Sequence, residues 1–416
     1  MRNLDLKREL GNKLGDRMRT LLIDVNCKGS STGKIVYDLY SALNSGSDVV
    51  GICYGRGVPV KEPNIFKFGL DWETALHAGL SRITGYNGGF SFFSTKRLID
   101  YIEKFKPDII HIHELHAYFV NIKPLIEYIK KKKIPVVWTF HCEYMYTGKC
   151  GYAYECDGWK KSCGNCPAVR EYPKSMFFDH TRYMFRKKKN ILNGLDFTIV
   201  TPSSWLADRV KQSFLKDRVV NVIHNGIDTE SIFYPRSKAE TDTLKSRYML
   251  NGRKIVLAVA PNIMEERKGG RLVLKIAEKM KNLQFVLVGS DEDAKYSDNV
   301  LMIKRTKNQD ELAKWYSLAN LFLICSNKEN FPTTCLEALA CGTPIVGIDA
   351  GGTKETAPNP YGRFVGATEE ELQKAISEQL NLDNSSEEIR SVAEKLYSKQ
   401  VMCEAYKRLY TEVCGL

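Results

Sequence analysis

At 416 residues the chain is longer than one hydrophobic core usually organises and suits two domains of roughly 200 residues each. Its 43% hydrophobic and 26% charged residues exclude a disordered or collagen-like chain, and no run approaches the ~20 apolar residues of a membrane-spanning helix. The net charge of +12 favours anionic ligands or surfaces.

From the N-terminus, MRNLDLKRELGNKLGDRM lacks the apolar centre of a signal peptide, so the sequence predicts a cytoplasmic protein with mostly reduced cysteines. Leu6, Leu10 and Leu14 recur every four residues among charges, as in a short helix docking on the protein or on a membrane surface. A strand is expected at Thr20–Val25, followed by KGSSTGK and a helical run from Ile35 to Leu43. An NTPase phosphate loop needs four residues between its glycines and a hydroxyl after its lysine. Here three residues separate Gly29 from Gly33, and Ile35 follows Lys34. The loop is either phosphate-facing through its amides or an ordinary strand-to-helix turn.

Further strands are expected at Val49–Tyr54, Asp108–His113, Val136–Phe140, Phe197–Thr201 and Val219–Ile223. A second series follows at Lys254–Ala260, Phe285–Gly289, Val300–Lys304, Leu321–Cys325 and Pro344–Ile348. Helical stretches alternate with both series, which predicts an α/β class with two parallel, Rossmann-like sheets joined near Asn225-Gly-Ile-Asp228. Ligands of such sheets bind at the carboxyl ends of the strands.

In the first half, His111 and His113 share one strand face, a spacing that raises metal binding. Cys150, Cys156, Cys163 and Cys166 fall within seventeen residues and could hold a tetrahedral structural zinc; free thiols are the alternative. Lysines and arginines gather at Lys130–Lys133, Lys160–Lys161 and Arg186–Lys189, and Phe177–Lys189 interleaves aromatics with cations. That pattern fits a surface-binding helix or a solvated helix with its aromatic face in the core.

The densest stretch is Glu329-Asn-Phe-Pro-Thr-Thr-Cys-Leu-Glu337-Ala-Leu-Ala-Cys-Gly-Thr-Pro. It puts one carboxylate in a loop and another one turn into a helix, with an anion-binding helix N-terminus between them. Glu329 and Glu337 with the trailing Cys-Gly-Thr-Pro resemble the E-x7-E signature of family 4 glycosyltransferases, which have the two-domain GT-B fold. The resemblance implies that Glu329 approaches the donor sugar and Glu337 binds ribose hydroxyls, with Phe331, Thr333 and Thr334 at the donor. Lys268 matches the lysine that grips the donor diphosphate. Asn262 stands where the family arginine usually does, with Arg267 as its substitute. Ala350-Gly-Gly-Thr-Lys-Glu355 resembles the segment that closes the donor pocket, Gly29 the glycine loop facing the donor or acceptor, and His141 the histidine near the transferred sugar. Pro107-Asp-Ile-Ile-His-Ile-His113 is also common in the family, which favours cleft lining over metal. The string from His141 through Cys166-Pro167 is similar to a subgroup concerned with colanic-acid and exopolysaccharide synthesis.

The resemblance implies two Rossmann-like domains facing each other across a cleft: an acceptor-side domain at 1–225 with a cysteine-rich insertion at 142–170, and a donor domain at 226–395. A C-terminal helix at 396–416 would pack back on the first. It further implies a retaining enzyme that carries sugar from a nucleoside-diphosphate donor, UDP above others, to a hydroxyl of a glycan or polyprenyl-diphosphate-linked glycan in bacterial capsule, exopolysaccharide or O-antigen synthesis. Catalysis would fall to Glu329, His141 and Lys268 with no cofactor. The four-cysteine zinc would be structural, membrane contact peripheral at the inner face, and nucleic acid not a partner. The alternatives are a UDP-sugar epimerase of the same fold and a non-catalytic zinc-containing module that binds glycan or nucleic acid.

Overall fold

The computed structural model describes residues 17–44, 48–250 and 252–416; Leu6, Leu10 and Leu14 lie outside them. The chain divides into two compact units. The first runs to Ile223 and includes Cys403–Leu416, and the second is His224–Met402.

The first unit is built on seven strands: β1 (Arg19–Asp24), β2 (Val49–Tyr54), β3 (Ile65–Lys67), β4 (Ile109–Ile112), β5 (Val136–Thr139), β6 (Phe197–Thr201) and β7 (Val220–Val222). They lie in the order β3-β2-β1-β4-β5-β6-β7, and every pair is parallel. Parallel strands are covered on both faces, so they read as unbroken apolar runs. Leu21, Leu22 and Ile23 of β1 have no exposed surface. The helix Ser31–Leu43 starts where Ser30 Oγ accepts from the Gly33 N–H at 3.0 Å, and it buries Ile35, Val36, Leu39, Tyr40 and Leu43.

The second unit repeats the plan with β8 (Lys254–Val259), β9 (Leu283–Val288), β10 (Ala294–Ser297), β11 (Val300–Ile303), β12 (Leu321–Ile324), β13 (Ile345–Ile348) and β14 (Gly362–Val365). The order is β10-β11-β9-β8-β12-β13-β14, with β10 antiparallel on its edge. In each sheet the strand order reverses once, between β1 and β4 and between β8 and β12, and chains leaving such a switch point diverge to open a crevice.

All eleven expected strands are present with ends shifted by at most two residues. The sequence reading missed β3, β10 and β14, which are short and lack a fully buried residue. Between β5 and β6 the insertion has little regular structure and is pinned from inside. Glu143, 1% exposed, takes a 2.6 Å bond from Arg209 Nε and a 2.9 Å bond from the Tyr146 hydroxyl, and Arg209 lies over the buried Trp159 ring.

The helix Lys399–Cys414 brings Tyr406 and Tyr410 into the first unit's core. Among the described residues no helix is long and apolar enough to cross a membrane.

Candidate functional site

In the second unit, the segment after β8 and the segment after β12 converge. Lys268 ends a short 3-10 turn (Glu266–Lys268), and Gly269 follows with φ +73°. A Cβ on Gly269 would stand 2.2 Å from the Cys325 carbonyl oxygen, so only glycine lets this turn lie against the end of β12. The Asn327 N–H donates to the Arg267 carbonyl at 3.0 Å and locks the two segments together. The consequence is a direct ion pair between Lys268 Nζ and Glu329 Oε1, with both side chains largely buried.

Eight residues on from Glu329, Glu337 sits in the helix Thr333–Ala340, also buried, and its Oε2 accepts from the Tyr316 hydroxyl at 3.0 Å. Tyr316 thereby fixes the carboxylate's orientation. Sequence reasoning missed this residue; its signal is a tyrosine on the buried face of the helix Gln309–Leu318. Pro332 caps the Thr333–Ala340 helix without a side-chain acceptor, so Thr333 and Thr334 head a helix whose first-turn amides are available to an anion.

Two residues expected on the donor side have local partners. The Phe331 ring is buried, stacked on His224 at 4.7 Å and edge-on to Tyr397, so it shapes the loop from beneath. Arg267 shares the turn with Lys268, but its Nε donates to Glu265 at 2.7 Å; Asn262 Oδ1 accepts from the Met264 N–H.

In the first unit the strand ends of β1, β4 and β5 gather a titratable cluster. His141 Nε2 meets His113 Nδ1 at 3.0 Å, and the rings stack. Burial pushes His141 down to about 4, against the opposing pull of Glu114, so its imidazole is neutral at neutral pH. His111 does not line a site: Tyr410 Oη at 2.6 Å and Thr139 Oγ1 at 2.7 Å occupy both its nitrogens in the core.

Gly29 occupies an open turn, its N–H bonded to the Cys27 carbonyl, with nothing but that oxygen within 4 Å of a Cβ position. The helix after it is capped by the chain's own Ser30.

Sequence reasoning also missed the acids of this cluster. Asp24, at the end of β1, is fully buried and accepts from Thr32 Oγ1 and the Glu114 N–H. Burial, then the Glu114 charge, raise it to about 7. Burial favours neutral Glu114, but His116, whose Nε2 touches Glu114 Oε2 at 2.7 Å, outweighs it and keeps the carboxylate ionised. Cys142 Sγ donates to the same oxygen at 3.5 Å. An acid at a strand end and the repeat His113-Glu-Leu-His116 were the available signals.

Of the four insertion cysteines, all partly buried, Cys163 Sγ accepts from the Gly148 N–H at 3.2 Å.

Comparison with known families decides the class. The model described as Glycosyltransferase Family 4 matches residues 33–231, and that described as Glycosyl transferases group 1 matches 241–396, so together they cover most of both units. The chain is a family 4 glycosyltransferase. Among its relatives is WcaC, a glycosyl transferase assigned to colanic acid biosynthesis in Escherichia coli (strain K12), 24% identical over 73% of this chain and 76% of that one. Another is the alpha-monoglucosyldiacylglycerol synthase of Acholeplasma laidlawii, 23% identical over 76% of this chain and 78% of that one. Among solved structures, Anabaena HepE in complex with UDP and glucose superposes with a TM-score of 0.60, at 14% identity over 95% of this chain and all of that one. The fold of this family 4 glycosyltransferase is therefore GT-B, with two Rossmann-like domains.

Proposed function

We propose that this glycosyltransferase transfers a sugar from a UDP-linked donor, with retention, to a hydroxyl of a glycan or lipid-linked glycan in bacterial surface-polysaccharide synthesis. The observation that carries the reading is the buried Lys268–Glu329 pair beside the Thr333–Ala340 helix with its Tyr316-held Glu337. Lys268 and the helix amides suit a diphosphate, Glu337 a ribose diol, and Glu329 a sugar hydroxyl. In the proposed front-face displacement, the bond from the anomeric carbon to the β-phosphate oxygen breaks. The acceptor oxygen bonds the same face, and its proton passes to the departing phosphate. Lys268 offsets the charge that develops there. Neutral His141 suits a hydrogen bond to a sugar hydroxyl. HepE, a protein of the same fold, has been crystallised with UDP and glucose, which supports the donor class.

Thermal unfolding with UDP, GDP, ADP and ATP tests the donor. A ligand at a hundred times its Kd adds about 2.7 kcal/mol to the stability of the form that binds it. UDP should raise Tm by several degrees and Glu337→Ala should abolish the rise; equal shifts with all four nucleotides, or none, would sink the reading.

A lipid-linked acceptor is supported by the surface of the first unit. Trp72, Leu76 and Ile83 on the helix Asp71–Thr84 and Met176, Phe177 and Phe178 on the adjoining loop are each at least half exposed. The two segments meet where the Met176 N–H donates to the Arg82 carbonyl at 2.7 Å. Lys174, Arg182 and Arg186 flank them in sequence, and such apolar strips edged by cations seat in anionic interfaces. Vesicles containing phosphatidylglycerol should pull the protein down at low salt and phosphatidylcholine vesicles should not; failure with both removes the membrane part of the proposal.

A further inference from the structure

The insertion after β5 has a purpose that the glycosyl-transfer machinery does not explain. We propose that Cys150, Cys156, Cys163 and Cys166 bind one structural zinc ion as four thiolates, with the buried ammonium groups of Lys149 and Lys188 balancing the site's charge.

Three observations converge. The first is the backbone of Cys163-Gly-Asn-Cys166. Residues 163, 164 and 165 have φ of 49°, 101° and 50°, three consecutive left-handed conformations, two of them at non-glycine residues. Such a turn is costly unless something holds it. It places an amide against sulfur: the Gly148 N–H donates to Cys163 Sγ at 3.2 Å. Amides aimed at sulfurs are the outer shell that orients thiolate ligands.

The second is the convergence of the segments that carry the four cysteines. The Gly148 bond sets the loop that carries Cys150 beside Cys163, which shares its turn with Cys166. Gly158 brings Cys156 inward: a Cβ there would sit 3.5 Å from Cys156 Sγ and 3.9 Å from Cys163 Cα.

The third is charge. Lys149 is 1% exposed and Lys188 5%, positions where a lysine is rarely found without an anion. Lys149 Nζ ends on the carbonyls of Val169, Glu171 and Pro173 at 2.7–2.8 Å; Lys188 Nζ ends on those of Tyr144 and Thr147. Four thiolates around Zn²⁺ carry a net charge of about −2, and two buried ammonium groups cancel it.

A rival cluster exists. Among the described residues, Glu114, His116 and Cys142 bring three ligand atoms within 4.8 Å of one another, whereas the four cysteine sulfurs are more spread. The Glu114–His116 contact of 2.7 Å, however, is a closed hydrogen bond that fills the space an ion would need. Zinc binding to the cysteines would release their thiol protons and draw the sulfurs together.

The test is the zinc content and zinc-edge X-ray absorption of the full chain, produced in zinc-supplemented medium and purified with a reductant. About one zinc per chain with four sulfur neighbours at about 2.3 Å is expected. Cys163→Ser should lower the zinc content severalfold, and Cys414→Ser should leave it unchanged. If Cys163→Ser does not fold, the absorption spectrum of the unaltered chain still decides. Zinc below about a tenth of an equivalent, a Cys150–Cys166 disulfide in its place, or a mixed nitrogen, oxygen and sulfur shell would each overturn the proposal. UDP stabilisation in the same samples reports on the second unit, so the two readings fail separately.

Discussion

Lys268→Ala should lower kcat by about 10²- to 10³-fold, the usual cost of removing one preorganised group that stabilises transition-state charge. The structure gives that lysine an unusual dependence on one partner. Gly269 presses its turn against β12, and Glu329 takes its ammonium group in a largely buried pair. Glu329→Gln should cost a similar factor, because it removes both the lysine's anchor and the carboxylate expected at the sugar. As a contacting pair the two are not independent, so the double variant should lose little beyond the worse single one. Steady-state release of UDP from the proposed donor checks all three, with circular dichroism confirming the fold. Rates within about threefold of the unaltered chain for either single variant would remove the pair from the mechanism.

Acidification from pH 6.5 to 4 should destabilise the protein by a few kcal/mol. Burial holds His77 and His141 down to about 4, and His111 and His113 also well below the ordinary 6.5. Between those values the unfolded chain binds more protons than the folded one, so stability falls as pH falls. His77 and His141 contribute about 3 kcal/mol each to that loss. Asp24 works the other way: raised to about 7, it binds its proton in the folded state first and returns about 4 kcal/mol over its range. Four histidines outweigh one aspartate. Urea midpoints at pH 7, 5.5 and 4.5 should therefore fall in that order, and Asp24→Asn should steepen the decline. A midpoint that holds or rises on acidification would contradict the burial of these rings.

The sequence disclosed the fold where physics leaves an unbroken trace. A parallel strand buried on both faces must be apolar along its length, and Leu21-Leu-Ile23 or Phe285-Val-Leu-Val288 can be read directly. Gly362–Val365 is half-buried and Ala294–Ser297 pairs antiparallel on an edge, so neither required such a run. The site divides similarly. Glu329 and Glu337 are eight positions apart in a helix-entering loop, a local pattern. The contact of Lys268 with Glu329 spans 61 positions, and that of Glu114 with Asp24 spans 90; both exist only once the strands are in order. Phe331 is less legible: its place in the signature suggests the donor, and only the fold shows its ring stacked on His224.

The Tyr410 hydroxyl reaches His111 across 299 positions of chain. A ribosome that has released residues 17–223 has therefore exposed a sheet whose central strand still lacks the partner of a buried imidazole. The nascent first unit must wait while the whole second unit is synthesised, with a polar hole and the apolar surface around it open to chaperones. Stop codons or proteolysis between the two would leave a fragment with every strand of the first sheet and an unfinished core.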